Sequence, residues 1–278
     1  MIRINNLSYQ YKNGNKVLKN LNINIKSGEF TALIGQNGAG KTTLLKNLNG
    51  LLKPTEGNIS ICGLDTSKTK TSVLAKKIGF LFQNPDHQIF CSSVYDEIAF
   101  GLKNLGKTLG EIEGLVYNAA KKVGMELCLK HDPFSLSKGQ RQRVALASVL
   151  AMETDILVLD EPTTGQDYSE GLEIMEIVKE LNKKGKTIVM VTHDMELVAQ
   201  YANRVIVLMK GTVLEDGATE EVLSKEESLA LSNLKPPQAY LLAKKFQKKG
   251  FFKNTYTVEE MFNEIISYIR GEQNACND

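Results

Sequence analysis

The stretch that decides the fold is Phe30–Thr42, which reads FTALIGQNGAGKT. Its first five residues are mostly apolar and predict a buried strand, and Lys41–Leu48 predicts a helix directly after a glycine-rich loop. Gly35–Thr42 has the spacing of the Walker A motif, with the strand before it and the helix after it that this motif requires. The segment therefore predicts a phosphate-binding loop.

The residue types in this loop explain the prediction. Glycines let the backbone N–H groups curl around the β- and γ-phosphates of a nucleotide, and the N-terminus of the following helix adds its dipole. Lys41 adds a positive charge, and Thr42 offers a hydroxyl to Mg²⁺. The residues predicted to contact nucleotide are Gly35, Gln36, Asn37, Gly38, Ala39, Gly40, Lys41, Thr42 and Thr43.

A second buried strand ends in two acidic residues. Ile156–Leu159 is followed at once by Asp160 and Glu161, and ligands of open α/β sheets bind at the carboxyl ends of the strands. An acidic pair alone is more often a solvated turn, but beside a phosphate loop it predicts the Walker B motif. Asp160 is then a ligand of Mg²⁺, directly or through water, and Glu161 orients and polarises the water that attacks the γ-phosphate.

Further strands along the chain indicate an α/β fold. Ile78–Phe82, Thr187–Val191 and Val205–Met209 alternate with helical patterns, which favours a mostly parallel sheet covered by helices. The residues from 2 to 25 alternate apolar and polar side chains around the turn Lys12–Asn15, which predicts antiparallel strands. Residues from about 86 to 150 are dominated by helical patterns and predict a helical subdomain.

The chain changes character after about Leu231. Pro236 and Pro237 interrupt it, and Thr257–Arg270 then has apolar residues at helical spacing, a capping box at its start and Gly271 at its expected end. We predict an ATP-binding domain over residues 1–230 and a small helical appendage over residues 231–278.

Composition excludes some partners and surroundings. The net charge is +2 and 24% of the residues are charged, so the composition gives no sign of the concentrated basic surface that would favour nucleic acid as a partner. The four cysteines are far apart and form no zinc pattern, which suits a reducing cytoplasm. No stretch approaches about 18 consecutive apolar residues and the start lacks a secretory signal, so we expect the chain to reach a membrane only through a partner.

A motif within this helical region carries a family resemblance. Leu136–Gln140 reads LSKGQ and precedes a helix, with Ser137 and Gln140 placed as a capping box. By itself this could be a well-capped helix, but beside the two nucleotide motifs it resembles the L-S-G-G-Q signature of the ABC (ATP-binding cassette) ATPases. The resemblance implies a P-loop cassette fold, with Ser137, Gly139 and Gln140 facing ATP held by an opposing subunit. Lys138 departs from the family pattern.

The same resemblance assigns two more catalytic residues. Gln83 resembles the Q-loop glutamine, which reaches Mg²⁺ and the attacking water and links to a membrane partner. His193 follows a strand and is similar to the switch histidine, which contacts the γ-phosphate and helps hold the catalytic glutamate. With Lys41 and Glu161, these residues form the implied catalytic set.

Two further positions follow from the family. Tyr11 is similar to the aromatic residue that stacks on adenine, with Tyr9 as the competing candidate. The segment Thr164–Asp167, called the D-loop below, resembles the family segment whose aspartate is Asp167, although Gln166 stands where leucine is more usual.

A longer stretch resembles the ATPases of energy-coupling factor importers, including cobalt importers. It comprises Phe82–Phe90, Val94–Gly101 and Asn104–Gly106. The resemblance implies a peripheral subunit on the cytoplasmic face of the membrane, which hydrolyses ATP as a homo- or heterodimer and powers uptake of vitamins, cobalt or nickel. Its further partners are a transmembrane coupling subunit, docking near Gln83 and residues 86–101, and a membrane protein that captures the substrate.

Two alternatives stay open. The chain could power an importer of another class, since the core motifs are shared. The second alternative is not a transporter but an ABC ATPase of chromosome maintenance or DNA repair. Such a protein needs a long coiled coil or a zinc module between Gly40 and Leu136. That interval has neither sustained heptads nor cysteine pairs.

Overall fold

The computed structural model describes residues 1–247 and 255–275, the last five of these by their backbone alone. The strands are β1 (Ile2–Gln10), β2 (Lys16–Ile25), β3 (Phe30–Ile34), β4 (Glu56–Ile61), β5 (Leu64–Asp65), β6 (Ile78–Leu81), β7 (Ile156–Asp160), β8 (Thr187–Val191), β9 (Arg204–Met209) and β10 (Thr212–Ala218). The helices are α1 (Lys41–Leu48), α2 (Thr71–Leu74), α3 (Val94–Asn104), α4 (Leu109–Lys122), α5 (Lys138–Ala151), α6 (Tyr168–Lys183), α7 (Met195–Tyr201), α8 (Thr219–Leu223), α9 (Glu226–Leu231), α10 (Gln238–Gln247) and α11 (Val258–Ala275).

A six-stranded sheet forms the centre of the fold. Its order is β10-β9-β3-β8-β7-β6, with parallel pairing throughout except between β9 and β10. Every residue of β3, β7 and β8 is buried, as expected for parallel strands covered on both faces. The mostly parallel core sheet predicted from the sequence is confirmed, and its carboxyl edge carries the loops after β3, β7 and β8.

A second, antiparallel sheet packs beside the first in the order β2-β1-β4-β5. Its inward side chains share one hydrophobic core with α1 and one face of the central sheet. The antiparallel pair β1 and β2 was predicted, but β4 and β5 were not. The strand β4 begins with three exposed residues, Glu56–Asn58, so its short apolar alternation is weak in the sequence.

Helices α3, α4 and α5 pack together as the predicted helical subdomain, and their apolar faces join the core on the other side of the central sheet. The short 3₁₀ turn Pro85–His87 precedes α3, and two more, Glu126–Cys128 and Pro133–Ser135, lie between α4 and α5. Within the described ranges, no helix is long and apolar enough to cross a bilayer.

Three predicted strand ends differ from the structure by one residue. The strand β6 stops at Leu81 because the Phe82 N–H donates to the side chain of Gln88 at 3.3 Å instead of extending the sheet. The strand β7 includes Asp160, which pairs with Val191 of β8. The strand β9 begins one residue earlier than predicted, at Arg204, which pairs with Thr31 of β3.

The segment after Leu231 continues as α10 and α11. The Thr257–Glu260 capping box forms as predicted, with the Glu260 N–H donating to the Thr257 hydroxyl at 3.2 Å. The predicted stop at Gly271 is wrong, because α11 runs on to Ala275. A glycine inside a helix costs only about 1 kcal/mol, so Gly271 by itself does not end α11. Residues 248–254 and 276–278 of the predicted appendage, Cys276 among them, lie outside the described residues.

Candidate functional site

The loop after β3 depends on its glycines for steric reasons. Gly35, Gly38 and Gly40 have φ of 148°, 81° and 107°, in the region that only glycine adopts freely. A Cβ atom at Gly35 would clash with the carbonyl oxygen of Leu208, and one at Gly40 would lie 2.8 Å from the Leu18 side chain. The loop can therefore curl tightly against the neighbouring strands and turn its N–H groups inward.

Lys41 lies inside this curl. Its Nζ donates hydrogen bonds to the carbonyl oxygens of Gly35 at 2.5 Å and Gln36 at 3.1 Å. Burial lowers the pKa of Lys41, while Glu161 and Asp160 oppose that shift. The ammonium group is thus held at the centre of the loop, where it can exchange two carbonyl partners for phosphate oxygens.

Asp160 faces the start of α1. The Thr42 hydroxyl donates to its Oδ2 at 3.5 Å, so a hydroxyl and a carboxylate lie side by side. Burial, and then the nearby Glu161 carboxylate, raise the pKa of Asp160 from 3.8 to about 6, against the opposing effects of Thr42 and Lys41. A pair of adjacent hard oxygen donors fits Mg²⁺, which prefers carboxylate and hydroxyl ligands.

Glu161 is placed by an unusual backbone. Its φ is 50°, a left-handed conformation that costs a residue with a side chain roughly 1–2 kcal/mol. Its N–H donates to the Val191 carbonyl oxygen at 2.9 Å, which anchors the turn to β8. Its carboxylate lies 2.9 Å from His193 Nδ1 and accepts from the Thr192 hydroxyl at 3.4 Å. The chain thus bends sharply at Glu161, and two side chains that follow β8 hold its carboxylate.

The pair of Glu161 and His193 is asymmetric in exposure. The Glu161 side chain is 10% exposed, whereas that of His193 is 80% exposed. The histidine therefore holds the buried carboxylate from the solvent side.

These groups converge on one pocket of about 340 Å³. Its lining is Asn15, Val17, Asn37, Gly38, Gly40, Lys41, Thr42, Thr43, Gln83, Asp160, Glu161 and Val191. Six of the nine predicted Walker A residues line this pocket together with Asp160, Glu161 and Gln83. The other predicted residues of the site, Gly35, Gln36, Ala39, Tyr11 and His193, are not part of the lining. Asn15 and Val17 were missed, although Asn15 ends the Lys12–Asn15 turn and Val17 follows it closely, near Tyr11 in the sequence.

Tyr11 is the aromatic residue tied to the loop. Its hydroxyl is 3.2 Å from the Thr43 hydroxyl, and the residue is 36% exposed. Tyr9 meets it edge-on at a centroid distance of 4.9 Å but packs against the hydrophobic core. Of the two candidates, Tyr11 offers the accessible face next to the phosphate loop.

The signature segment, Leu136–Gln140, does not line this pocket. It opens α5 with the predicted capping box, in which the Gln140 N–H donates to the Ser137 hydroxyl at 3.2 Å and the Ser137 N–H donates to the Gln140 side chain at 3.0 Å. Asp167 likewise caps α6, accepting from the Glu170 N–H at 2.8 Å. Ser137, Gly139, Gln140 and Asp167 are therefore separate from the phosphate pocket of their own chain.

A glycine loop between a buried strand and a helix, with an acidic pair at the end of another strand of the same sheet, defines a P-loop nucleotide-binding protein. Residues 18–164 match the family described as ABC transporter. The chain belongs to the family of ABC transporter ATP-binding proteins, the ABC ATPases.

Individual relatives agree with that assignment. The energy-coupling factor transporter ATP-binding protein EcfA of Methanocaldococcus jannaschii is 40% identical, with 97% of this chain and 98% of that protein covered. The structure of cbiO1 from Clostridium perfringens, described as part of the ABC transporter complex cbiONQ, is 41% identical over 84% of this chain and 94% of that chain, with a TM-score of 0.72. A dimeric post-hydrolysis structure of the cassette MJ0796 with ADP and Pi is 34% identical over 79% and 99%, with a TM-score of 0.74.

Some relatives are much longer than this chain. Three curated relatives from Caldanaerobacter subterraneus and two Methanosarcina species are 45–48% identical, and the chain spans 41–45% of their length.

Proposed function

We propose that this chain binds ATP with Mg²⁺ and hydrolyses it as one of two subunits that power an importer of the energy-coupling factor type, taking up a vitamin, cobalt or nickel. The observation that carries the catalytic part is the buried Glu161 carboxylate, held 2.9 Å from His193 Nδ1 beside the phosphate loop. A carboxylate fixed at this place can accept hydrogen bonds from the attacking water.

The other residues of the pocket have roles that follow from their positions. Lys41 transfers its hydrogen bonds from the Gly35 and Gln36 carbonyl oxygens to phosphate oxygens. Thr42, Asp160 and Gln83 would hold Mg²⁺, which when bound offsets the negative charge of the phosphates. Tyr11 offers its ring to adenine. Glu161 orients the water, and His193 keeps Glu161 in place and reaches the γ-phosphate.

Two subunits are needed because the signature segment lies away from its own phosphate pocket. The capping box uses the N–H groups of Ser137 and Gln140 at the start of α5. The other N–H groups of a first helical turn lack intrahelical partners, and such a helix end attracts phosphate. We propose that Ser137 and Gly139 donate to the γ-phosphate held by the opposite subunit. The dimeric structure of the similar cassette MJ0796 supports an assembly of two subunits.

An apolar groove on the surface supports the proposal of a membrane partner. It has a volume of about 270 Å³ and lies among α2, β6, α3 and α5. Phe90 and Phe100 are 61% and 44% exposed and pack edge to face at 4.8 Å on its rim. The buried carboxylate of Glu97 fixes this rim, accepting from the N–H groups of Phe90 at 3.0 Å and Cys91 at 2.9 Å.

The groove, lined in part by residues of the predicted docking region 86–101, suits a short apolar helix. We propose that a transmembrane coupling subunit places such a helix in it, which would hold the ATPase on the cytoplasmic face of the membrane. A second membrane protein would then capture the substrate. The similar protein cbiO1, described as part of the complex cbiONQ, supports a multi-subunit assembly.

The catalytic proposal is tested with Glu161→Gln. We expect ATP binding to persist and turnover to fall by roughly 10²–10⁴-fold, the contribution of a positioned general base. Glu227→Gln, the same chemical change at an exposed site on α9, serves as the control and keeps full activity. Turnover by Glu161→Gln at the wild-type rate contradicts the assignment.

The importer proposal is tested by purification from membranes of the producing cell. We expect the chain to bring down a transmembrane protein, and Phe90→Asp to abolish this association while the detached chain still binds ATP. Metal analysis and mass spectrometry of the complex then identify the cargo. Salt-dependent DNA binding by the purified chain, without any membrane partner, would instead favour the DNA-repair class.

A further inference from the structure

The signature segment and the D-loop of the same chain are joined by one side chain. Gln166 Nε2 donates to the carbonyl oxygen of Gly139 at 2.7 Å, and its Oε1 accepts from Arg143 Nε at 3.3 Å. The nitrogen of the Gln166 amide thus bonds the first turn of α5, and its oxygen bonds the second turn. A side chain held at both ends has a defined orientation.

Arg143 is itself fixed by other elements. Its side chain is 13% exposed, and it donates to the Val123 carbonyl oxygen at 3.2 Å and to Glu173 of α6 at 3.1 Å. It thus ties α5 to the end of α4 and to the helix that follows the D-loop. Gln166 is anchored to a guanidinium group that has little freedom to move.

The two backbones also meet closely. A Cβ atom at Gly139 would lie 2.8 Å from the carbonyl oxygen of Gly165, so this contact requires glycine at position 139. The stem of Lys138 covers Gly165, since a Cβ atom there would lie 3.4 Å from Lys138 Cγ. Lys138 and Gln166, the two departures from the family pattern, therefore both contact the same junction.

The junction continues to the catalytic glutamate. The Thr164 N–H donates to the Glu161 carbonyl oxygen at 3.1 Å, and the Gln166 N–H donates to that of Thr163 at 3.2 Å. A tight turn thus links Glu161 to Gln166 within five residues. A displacement at Glu161 has a short hydrogen-bonded route to the first turn of α5.

We propose that Gln166 is a positioning residue that makes the Glu161 turn and the signature segment of one chain move together. The state of a subunit's own ATP then sets the orientation of the donors that it offers to its partner's ATP. This inference rests on the proposed hydrolysis by a dimer, but the junction itself belongs to a single chain. It can therefore be tested separately.

The first test measures hydrogen exchange of the full chain without nucleotide. Gln166→Met keeps the size of the side chain and removes both hydrogen bonds, so amides of residues 136–144 should exchange roughly three- to tenfold faster, as expected for one net hydrogen bond. Gln166→Glu keeps the contact with Arg143 and removes only the donor to Gly139, and it should show the same direction. Gln200→Met, an exposed site on α7, is the matched control and should not change this region.

The second test separates positioning from general damage. In Gln166→Met, ATP affinity of the isolated chain should stay within twofold of wild type, because Gln166 does not line the pocket. The ATP concentration for half-maximal hydrolysis should rise roughly three- to tenfold, since closure on the partner's ATP loses an oriented donor set.

Unchanged exchange in residues 136–144, or wild-type hydrolysis in both Gln166 variants, overturns the inference and leaves the proposed function standing. A parallel loss of ATP affinity and of thermal stability also overturns it, since Gln166 would then only support the fold. If the wild-type chain with its native partners does not hydrolyse ATP, the proposed function fails, while the exchange data still decide whether the junction exists.

Discussion

At the scale of single residues, the acidic pair at the end of β7 serves the proposed function but lowers the stability of the nucleotide-free chain. Asp160 is 4% exposed, and burial together with Glu161 raises its pKa from 3.8 to about 6. The folded chain without nucleotide therefore holds the proton more tightly than the unfolded chain does. The ionised form of Asp160 costs stability above pH 6, and that cost disappears as the pH falls below about 4.

Asp160→Asn should therefore stabilise the nucleotide-free chain. A shift from 3.8 to about 6 corresponds to about 3 kcal/mol at pH 8. We expect a higher unfolding midpoint than wild type at pH 8 and a difference that vanishes near pH 4, measured by thermal melts across this range. Magnesium-dependent ATP hydrolysis should be lost in the same variant, and an equal or lower midpoint at pH 8 would contradict the electrostatic explanation.

Lys138 tests whether charge or packing matters at the signature segment. The stem of Lys138 covers Gly165, and its side chain is exposed at the first position of α5. Lys138→Met keeps most of the stem and removes the charge, so exchange in residues 136–144 should be no faster than in wild type. Loss of a cation from a helix N-terminus should leave the free energy of unfolding equal or roughly 0.3–1 kcal/mol higher. We expect the ATP concentration for half-maximal hydrolysis to rise by up to about fivefold, because an exposed cation paired with an anion contributes up to roughly 1 kcal/mol. Lys138→Gly should in addition accelerate exchange.

At the scale of elements, helix caps separate stability from activity. Ser137 caps α5 and Ser93 caps α3, each hydroxyl accepting from the N–H group three residues ahead. Ser137→Ala and Ser93→Ala should each cost about 1 kcal/mol in free energy of unfolding, measured with denaturant. Only Ser137→Ala should lower ATPase activity beyond this, since only α5 is proposed to face nucleotide. Equal activity in the two variants would show that the cap is structural alone.

Elements also show what the sequence could and could not predict. The loop between β3 and α1 and the acidic end of β7 were predictable because their chemistry restricts residue types tightly. The strand β4 was not, since half of it is exposed and its pairing with β1 depends on distant residues. The hydrogen bond from Gln166 to Gly139 was also not predictable, because it joins residues 27 positions apart.

At the scale of the whole molecule, the segment after Leu231 is tied to the ATP-binding core. Tyr240 is 6% exposed, stacks on Tyr256 at 5.1 Å and belongs to the main hydrophobic cluster. Asn233 Nδ2 donates to the Gln36 side chain at 2.9 Å, so the segment also contacts the phosphate loop. Its removal would leave apolar surface of the core exposed.

Tyr240→Ala should therefore destabilise the entire chain and not only the residues after 231. Truncating a buried aromatic side chain costs about 3–5 kcal/mol, which predicts one cooperative transition at a clearly lower temperature in calorimetry. Tyr117→Ala, at a tyrosine of α4 that is 49% exposed, is the control and should shift the midpoint little. A separate early transition with an unchanged main peak would show instead that the segment unfolds independently.

The left-handed backbone at Glu161 has a consequence for engineering. Glycine or asparagine would adopt a φ of 50° with less strain than glutamate. A search for heat-resistant variants that scores folding alone should therefore enrich glycine or asparagine at position 161 and asparagine at position 160. The winners of such a screen would be robust but inert proteins, and these two positions need to be held constant whenever this scaffold is redesigned.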